Sequence, residues 1–268
     1  MNKIEAIKKV KLDGQLNEVP IHFRKDKDVV LAAVKKDGYA LQHADEKLKK
    51  DKQIVLEAVK KAGYAITYAD RNFRKDKEII LSIIKDKNQS SFGLEIADDS
   101  LKKDKKIVLA AVKKDGTSLR FADESLIKNK RIVLEAVKQE GYALEYADES
   151  LKKDKQVVLA SVKKDGSGFP CCHESLRKDI DIILLSLKRF VSAFENAEEH
   201  FKKNKKIVLS AVKQNGLALR YADKSLKKDK KIALAALKQL KEKSLGLSII
   251  DKSLKKDKDI LAIINKKN

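Results

Sequence analysis

An acidic or amide residue, followed in all but one case by Lys, returns along this chain at nearly constant intervals, each time heading an apolar run. That recurrence limits what the chain can fold into more than any other feature. With this residue as offset 0, the anchors are Asp26, Asp51, Asp76, Asp104, Asn129, Asp154, Asp179, Asn204, Asp229 and Asp257. Successive anchors lie 25 residues apart, except for two gaps of 28. A fixed period of about 20 to 50 residues is the mark of a solenoid, in which each unit buries its apolar face only against its neighbours. The array is expected to be one elongated domain over residues 26–268, behind a degenerate N-terminal capping repeat at residues 1–25.

Asp and Asn accept hydrogen bonds from the free N–H groups of a first helical turn, so the anchor reads as an N-cap. Offsets 3, 4, 5, 7 and 8 are apolar, as in Ile54, Val55, Leu56, Ala58 and Val59. That arc is too wide for a one-sided helix, and the helix must pack on more than one side. Lys at offset 9, such as Lys35, Lys113 and Lys213, suits the negative end of the helix dipole. Gly at offset 12 (Gly38, Gly63, Gly116, Gly141, Gly166 and Gly216) predicts a positive-φ residue closing the helix. A second short helix is expected over Tyr39, Leu41, Ala44 and Leu48, either continuous or broken at the Asp of offset 19. The Asp at offset 19 (Asp45, Asp70, Asp123, Asp148, Asp223) either caps a final turn or pairs with a Lys four residues on. Insertions at Lys87 to Phe92 and around Leu240 to Ser244 are expected to lengthen loops with little effect on stacking.

Written out as Asp229-Lys230-Lys231-Ile232, with Asn215-Gly216-Leu217-Ala218-Leu219-Arg220-Tyr221-Ala222-Asp223 upstream, the unit resembles the tandem repeats of the domain of unknown function 4116 family. The resemblance covers about residues 26 to 260. Taken with the periodicity, the expected fold is all-α: an α-solenoid of about ten 25-residue two-helix repeats, HEAT- or LRV-like, right-handed by analogy with other helical repeats. Ser167-Gly168-Phe169-Pro170-Cys171-Cys172-His173 departs from the pattern, and Val191 stands where Gly is usual. Local distortion is expected there.

The chain carries 61 Lys and Arg against 40 Asp and Glu, a formal charge of +21, and nearly all of that excess lies within two residues of the anchors. Equivalent positions in a solenoid align along one edge, so the junctions predict a basic ridge that tracks a polyanion, best a nucleic-acid backbone. Its members are Lys49, Lys50 and Lys52, then Lys102, Lys103, Lys105 and Lys106, then Lys128, Lys130 and Arg131. It continues through Lys152, Lys153 and Lys155, then Lys202, Lys203, Lys205 and Lys206, and finally Lys227, Lys228, Lys230 and Lys231. Lys acts as a point charge on phosphate, so contact without base reading is expected. The plainer explanation is a solvated edge that keeps a repeat protein soluble.

A second candidate is a variable row at offset 16, comprising Gln42, Thr67, Glu95, Arg120, Glu145 and Arg220, through which a protein partner would be chosen. Under that alternative the chain is a protein-interaction adaptor or host-directed effector using the concave solenoid face. Aromatics at offsets 13 and 17 are expected to pack between successive short helices rather than to stack bases. Cys171, Cys172 and His173 are consecutive, so their side chains diverge from any common metal. No Gly-rich phosphate loop or nucleophile-and-base pair appears, and a non-enzyme without cofactor or metal is expected. Apolar runs are too short to span a bilayer and no signal peptide is evident. A cytoplasmic monomer is expected, with delivery by a specialised secretion system left open.

Overall fold

A computed structural model describes residues 1–86, 89–240 and 242–265. The described residues are all-α, built from α- and 3₁₀-helices with no strand among them. Each repeat opens with a main helix. In chain order these are α1 (Lys3–Asp13), α2 (Lys27–Lys36), α3 (Lys52–Lys61), α4 (Lys77–Lys85), α5 (Lys105–Lys114) and α6 (Lys130–Gln139). They continue as α7 (Lys155–Asp165), α8 (Ile180–Ser186), α9 (Lys205–Gln214), α10 (Lys230–Gln239) and α11 (Lys258–Ile264).

The anchors start these helices by capping them. One carboxylate oxygen of Asp51 accepts the N–H groups of Gln53 and Ile54 at 2.9 and 3.2 Å. The same pair of bonds forms at Asp26, Asp76, Asp104, Asp154, Asp179, Asn204, Asp229 and Asp257. Asn2 caps α1 through a capping box with Glu5, so residues 1–25 hold a main helix with its own anchor. Within a helix, offsets 3, 4, 7 and 8 are buried, as in Ile107, Val108, Ala111 and Val112 of α5. The Leu at offset 5 is only half-buried in α2 to α10, from Leu31 and Leu56 to Leu209 and Leu234.

Three expectations are corrected. Among the described residues, positive φ occurs only at Gly14 and Gly166, so Gly38, Gly63, Gly116, Gly141 and Gly216 do not close the main helix in a left-handed turn. The residue before them ends it instead. Asp37, Ala62, Asp115, Glu140 and Asn215 are extended, with φ from −135 to −153°, and serve as N-cap positions for the next segment. Gly is needed there because the neighbouring main helix comes close: a Cβ on Gly141 would lie 2.6 Å from the Ser161 carbonyl oxygen.

Since the break at offset 19 is one of the expected readings, the second correction concerns only the form of the second helix. It is a six-residue 3₁₀-helix, as in Gly38–His43, Gly63–Tyr68 and Gly116–Phe121, followed by a separate helical turn such as Glu124–Ile127. Its backbone bonds span three residues, as where the Ala40 N–H donates to the Asp37 carbonyl at 3.0 Å and the Ala44 N–H to that of Leu41 at 3.1 Å. The Asp at offset 19 caps the final turn, as Asp123 does for Ser125 and Asp223 for Ser225. Its own N–H donates to the carbonyl at offset −2, for example Asp70 to Lys49 at 3.1 Å and Asp223 to Lys202 at 3.1 Å. The third correction is that both insertions extend helix rather than loop: seven-residue α-helices, Ser90–Ile96 and Lys243–Ile249, replace the 3₁₀ segment. Lys87, Asn88 and Lys241 of those insertions lie outside the described residues.

The chain forms two compact units, Met1–Glu135 and Ala136–Asn268. In the first, α1 to α5 pack each against the next, and the segments Gly38–His43 and Gly63–Tyr68 pack on one another beside them. In the second, α7 to α11 pack in the same serial way, with Val191–Asn196 against Gly216–Tyr221. Both are thus α-solenoid stacks whose contacts run between neighbouring repeats. The departing segment after α7 is locally distorted as expected: α7 runs on to Asp165, Gly166 turns at φ 81°, and Phe169, Cys171 and Cys172 are buried in irregular turns.

Candidate polyanion interface

The Lys-rich junctions divide by position into paired and unpaired cations. At offset +1 the ammonium reaches the anchor carboxylate of the following repeat, on the oxygen that is not capping. In the first unit Lys27 meets Asp51 at 2.7 Å, Lys52 meets Asp76 at 2.8 Å and Lys77 meets Asp104 at 2.6 Å. Lys3 makes the same contact with Asp26 at 2.9 Å. In the second unit Lys155 meets Asp179 at 2.7 Å, Lys205 pairs with Asp229, and Lys230 meets Asp257 at 2.8 Å. Where offset +2 of the next repeat is acidic, the same ammonium takes it too, as Lys52 does Glu78, Lys155 does Asp181 and Lys230 does Asp259.

Charge state follows from this ladder. The Lys77 ammonium holds the Asp104 carboxyl below its ordinary range, as Lys205 does for Asp229 and Lys230 for Asp257. In return Asp76 and Glu78 raise Lys52, Asp179 and Asp181 raise Lys155, and Asp257 and Asp259 raise Lys230. Each Asp anchor of this ladder therefore does two jobs, capping its own helix and receiving the cation of the repeat before it.

Offset −2 is also engaged. Lys49 pairs with Glu46 at 2.8 Å, Lys102 with Asp99 at 3.3 Å, Lys152 with Glu149 at 3.0 Å and Lys202 with Glu199 at 2.9 Å. Lys227, pushed down by burial and by Lys224, donates to the Arg220 carbonyl at 2.6 Å. At offset −1, Lys50 stands 3.9 Å from Asp70, Lys103 stands 3.8 Å from Asp123, and Lys128 pairs with Glu124 at 2.6 Å. Lys130 also has an interaction partner. Among the described residues, Lys105, Lys106 and Arg131 in the first unit make no ion pair, nor do Lys153, Lys203, Lys206, Lys228 and Lys231 in the second. Lys105 is free because the next anchor is the uncharged Asn129.

The variable row at offset 16 is exposed throughout: Gln42, Thr67, Glu95 and Arg120 in the first unit, Glu145 and Arg220 in the second. Offsets 13 and 16 eclipse one another in a 3₁₀-helix, so Tyr39, Tyr64 and Tyr142 stand beside this row. These tyrosines are 42, 48 and 48 % exposed. Two aromatic pairs join successive repeats, Tyr39 edge-on to Tyr68 with centroids 6.5 Å apart and Tyr64 stacked on Phe92 at 4.0 Å, whereas Tyr142 packs edge-on against Tyr146 of its own repeat at 5.9 Å. The Arg120 guanidinium lies over Phe121 at 4.4 Å.

Cys171 and Cys172 are buried free thiols. Burial and the adjacent Glu145 push Cys171 up to about 12, which suppresses the nucleophilic thiolate. His173 takes the place of the usual Asp at offset 19 and caps with its imidazole, Nδ1 accepting the Ser175 N–H at 3.2 Å. No group of three or more metal-ligating side chains occurs among the described residues, and no described helix is long and apolar enough to cross a membrane.

The inter-repeat ladder was missed by sequence reasoning, although a signal for it exists. Offset +1 is Lys in every repeat except the one with Ile180, and the anchor that follows Ile180 is the uncharged Asn204.

The family model described as domain of unknown function (DUF4116) matches seven segments, at residues 4–49, 26–74, 51–102, 76–127, 129–171, 154–202 and 204–245. Each spans about two of the 25-residue periods, and the first begins ahead of Asp26. No curated protein and no solved structure matches the chain.

Proposed function

This chain belongs to the DUF4116 family, whose description assigns no activity, and from that premise we propose that it is a non-catalytic binding scaffold for a polyanion, best a nucleic-acid backbone. The observation that carries this reading is the set of exposed cations left over once the ladder and the offset −2 pairs are subtracted. Paired cations are already neutralised by a carboxylate and have little to offer a phosphate. The eight unpaired ones, Lys105, Lys106, Arg131, Lys153, Lys203, Lys206, Lys228 and Lys231, recur at junctions of both units with no ion pair to a carboxylate among the described residues. Such a set attracts phosphate without reading sequence, because seven of the eight are lysines.

A labelled duplex and a labelled single strand, titrated with the chain between about 50 and 200 mM salt, test the proposal. Binding whose logarithm falls steeply with the logarithm of salt supports it. Absence of binding at the lowest salt leaves the surplus charge as a solubility device and refutes it.

The exposed offset 16 row favours a second reading, a protein-interaction adaptor. Its side chains differ in charge from repeat to repeat while standing beside exposed tyrosines, residues favoured in protein interfaces. Charge reversal at Arg120 or Arg220 then disrupts partner binding and leaves binding of a duplex untouched.

A further inference from the structure

A groove of about 670 Å³ opens between α9 and α10 in the second unit. Its floor is Leu209, Leu234 and Ala235, and its rim carries Lys213, Lys231, Lys238 and Gln239, with Lys230, already held by Asp257 and Asp259, beside them. Among the described residues no carboxylate lines it. The leucines are the half-buried offset 5 residues, so apolar surface here remains open to water after folding.

Other neighbouring pairs of main helices differ. The outward stripe at offsets 2 and 6 carries Asp28 on α2, Glu57 on α3, Glu78 on α4, Glu135 on α6, Asp181 on α8 and Asp259 on α11. α9 and α10 are the adjacent pair in which neither stripe holds an acid; Lys206 and Lys231 stand at offset 2, Ser210 and Ala235 at offset 6. The small side chains at offset 6 leave room above the leucines, and the lysines at offset 9 close the far end. On α10, Lys231 and Lys238 are seven residues apart, which is about 10 Å along the helix and nearly in line.

We propose that this groove receives an acidic amphipathic helix of a protein partner. A helix seated there buries one apolar stripe on Leu209, Leu234 and Ala235, and carboxylates about two turns apart meet Lys231 at one end and Lys213 at the other. The α9 and α10 helices, about 15 Å long, offer room for roughly three turns. A phosphate backbone has no apolar face for the floor. A lipid chain in so open a groove leaves half its surface in water, whereas an amphipathic helix leaves only its polar side there.

The test uses the full chain and a labelled peptide of about 14 residues, with leucines at i, i+3, i+4 and i+7 and glutamates between, at about 0.15 M salt. A second peptide of the same composition has its leucines dispersed around the helix. The expected result is binding of the first peptide but not the second. That binding weakens at least roughly tenfold, about 1.4 kcal/mol, in Lys213→Glu/Lys231→Glu and in Leu234→Gln. Lys213 and Lys231 are exposed and make no ion pair among the described residues, so this variant is expected to keep its melting temperature and its result stands if Leu234→Gln unfolds. Three results overturn the proposal: no peptide binding, equal binding of the dispersed peptide, or binding indifferent to the charge reversal. Binding of a labelled duplex or phosphatidylserine vesicles through Lys213 and Lys231, without the peptide, overturns it as well.

Discussion

At the residue scale the anchor Asp explains itself by its two oxygens. One satisfies N–H groups that an isolated helix leaves without partners, and the other holds the ammonium of the previous repeat. Removing both functions at Asp51 by Asp51→Ala is expected to cost about 1 to 2 kcal/mol in urea unfolding, the range of a lost N-cap with a little more for the ion pair. Asp51→Asn keeps the cap and loses only the half-exposed pair, so its cost is expected below about 1 kcal/mol. Equal costs would show that the ladder rather than the cap carries the effect. The pH dependence has two edges. Asp104, Asp229 and Asp257 are held low, so their contribution is full above the unfolded value of about 3.9 and is lost as pH falls through the folded value. Lys52, Lys155 and Lys230 are held high, so theirs is full below about 10.4 and is lost as pH rises through the folded value. Melting temperature against pH is expected to show a plateau between those edges, and a maximum confined to one of them would contradict the ladder.

At the scale of the element, the caps and the buried arc of the main helices were legible because both depend on residues within one turn. Asp, then apolar side chains at offsets 3, 4, 7 and 8, is a local code. What was not legible depends on neighbours. Gly38, Gly141 and Gly216 look in sequence like helix-closing glycines, but their backbone is not left-handed. They are small because the adjacent main helix passes over them, which only stacking reveals. Gly141→Ala places a methyl 2.6 Å from the Ser161 carbonyl oxygen and 2.7 Å from an Asp165 carboxylate oxygen. A loss of about 1 to 3 kcal/mol is expected in denaturant unfolding, the range of an overpacked site, and a neutral result would mean that the two helices part without penalty. The 3₁₀ form of the second segment was hidden for a related reason: apolar spacing over six residues does not separate α from 3₁₀ geometry.

At the scale of the whole molecule, charge was legible as an amount but not as an availability. Residues 1–135 carry 31 Lys and Arg against 22 Asp and Glu, and residues 136–268 carry 30 against 18, so each unit is basic in its own right, at +9 and +12. The candidate ridge looked uniform in sequence because Lys at offset −2, −1, +1 or +2 is the same letter. Stacking of successive repeats assigns Lys52, Lys155, Lys205 and Lys230 to holding repeats together and leaves Lys105, Lys106 and Lys231 to solvent. The most direct measurement compares these classes in one duplex titration. Lys105→Gln/Lys106→Gln/Arg131→Gln is expected to weaken binding and to flatten the salt slope by about 0.9 for each phosphate no longer neutralised, with the melting temperature unchanged. Lys27→Gln/Lys52→Gln is expected to lower the melting temperature and leave the slope intact. The reverse pattern, ladder lysines setting the slope and unpaired cations contributing nothing, would contradict the account.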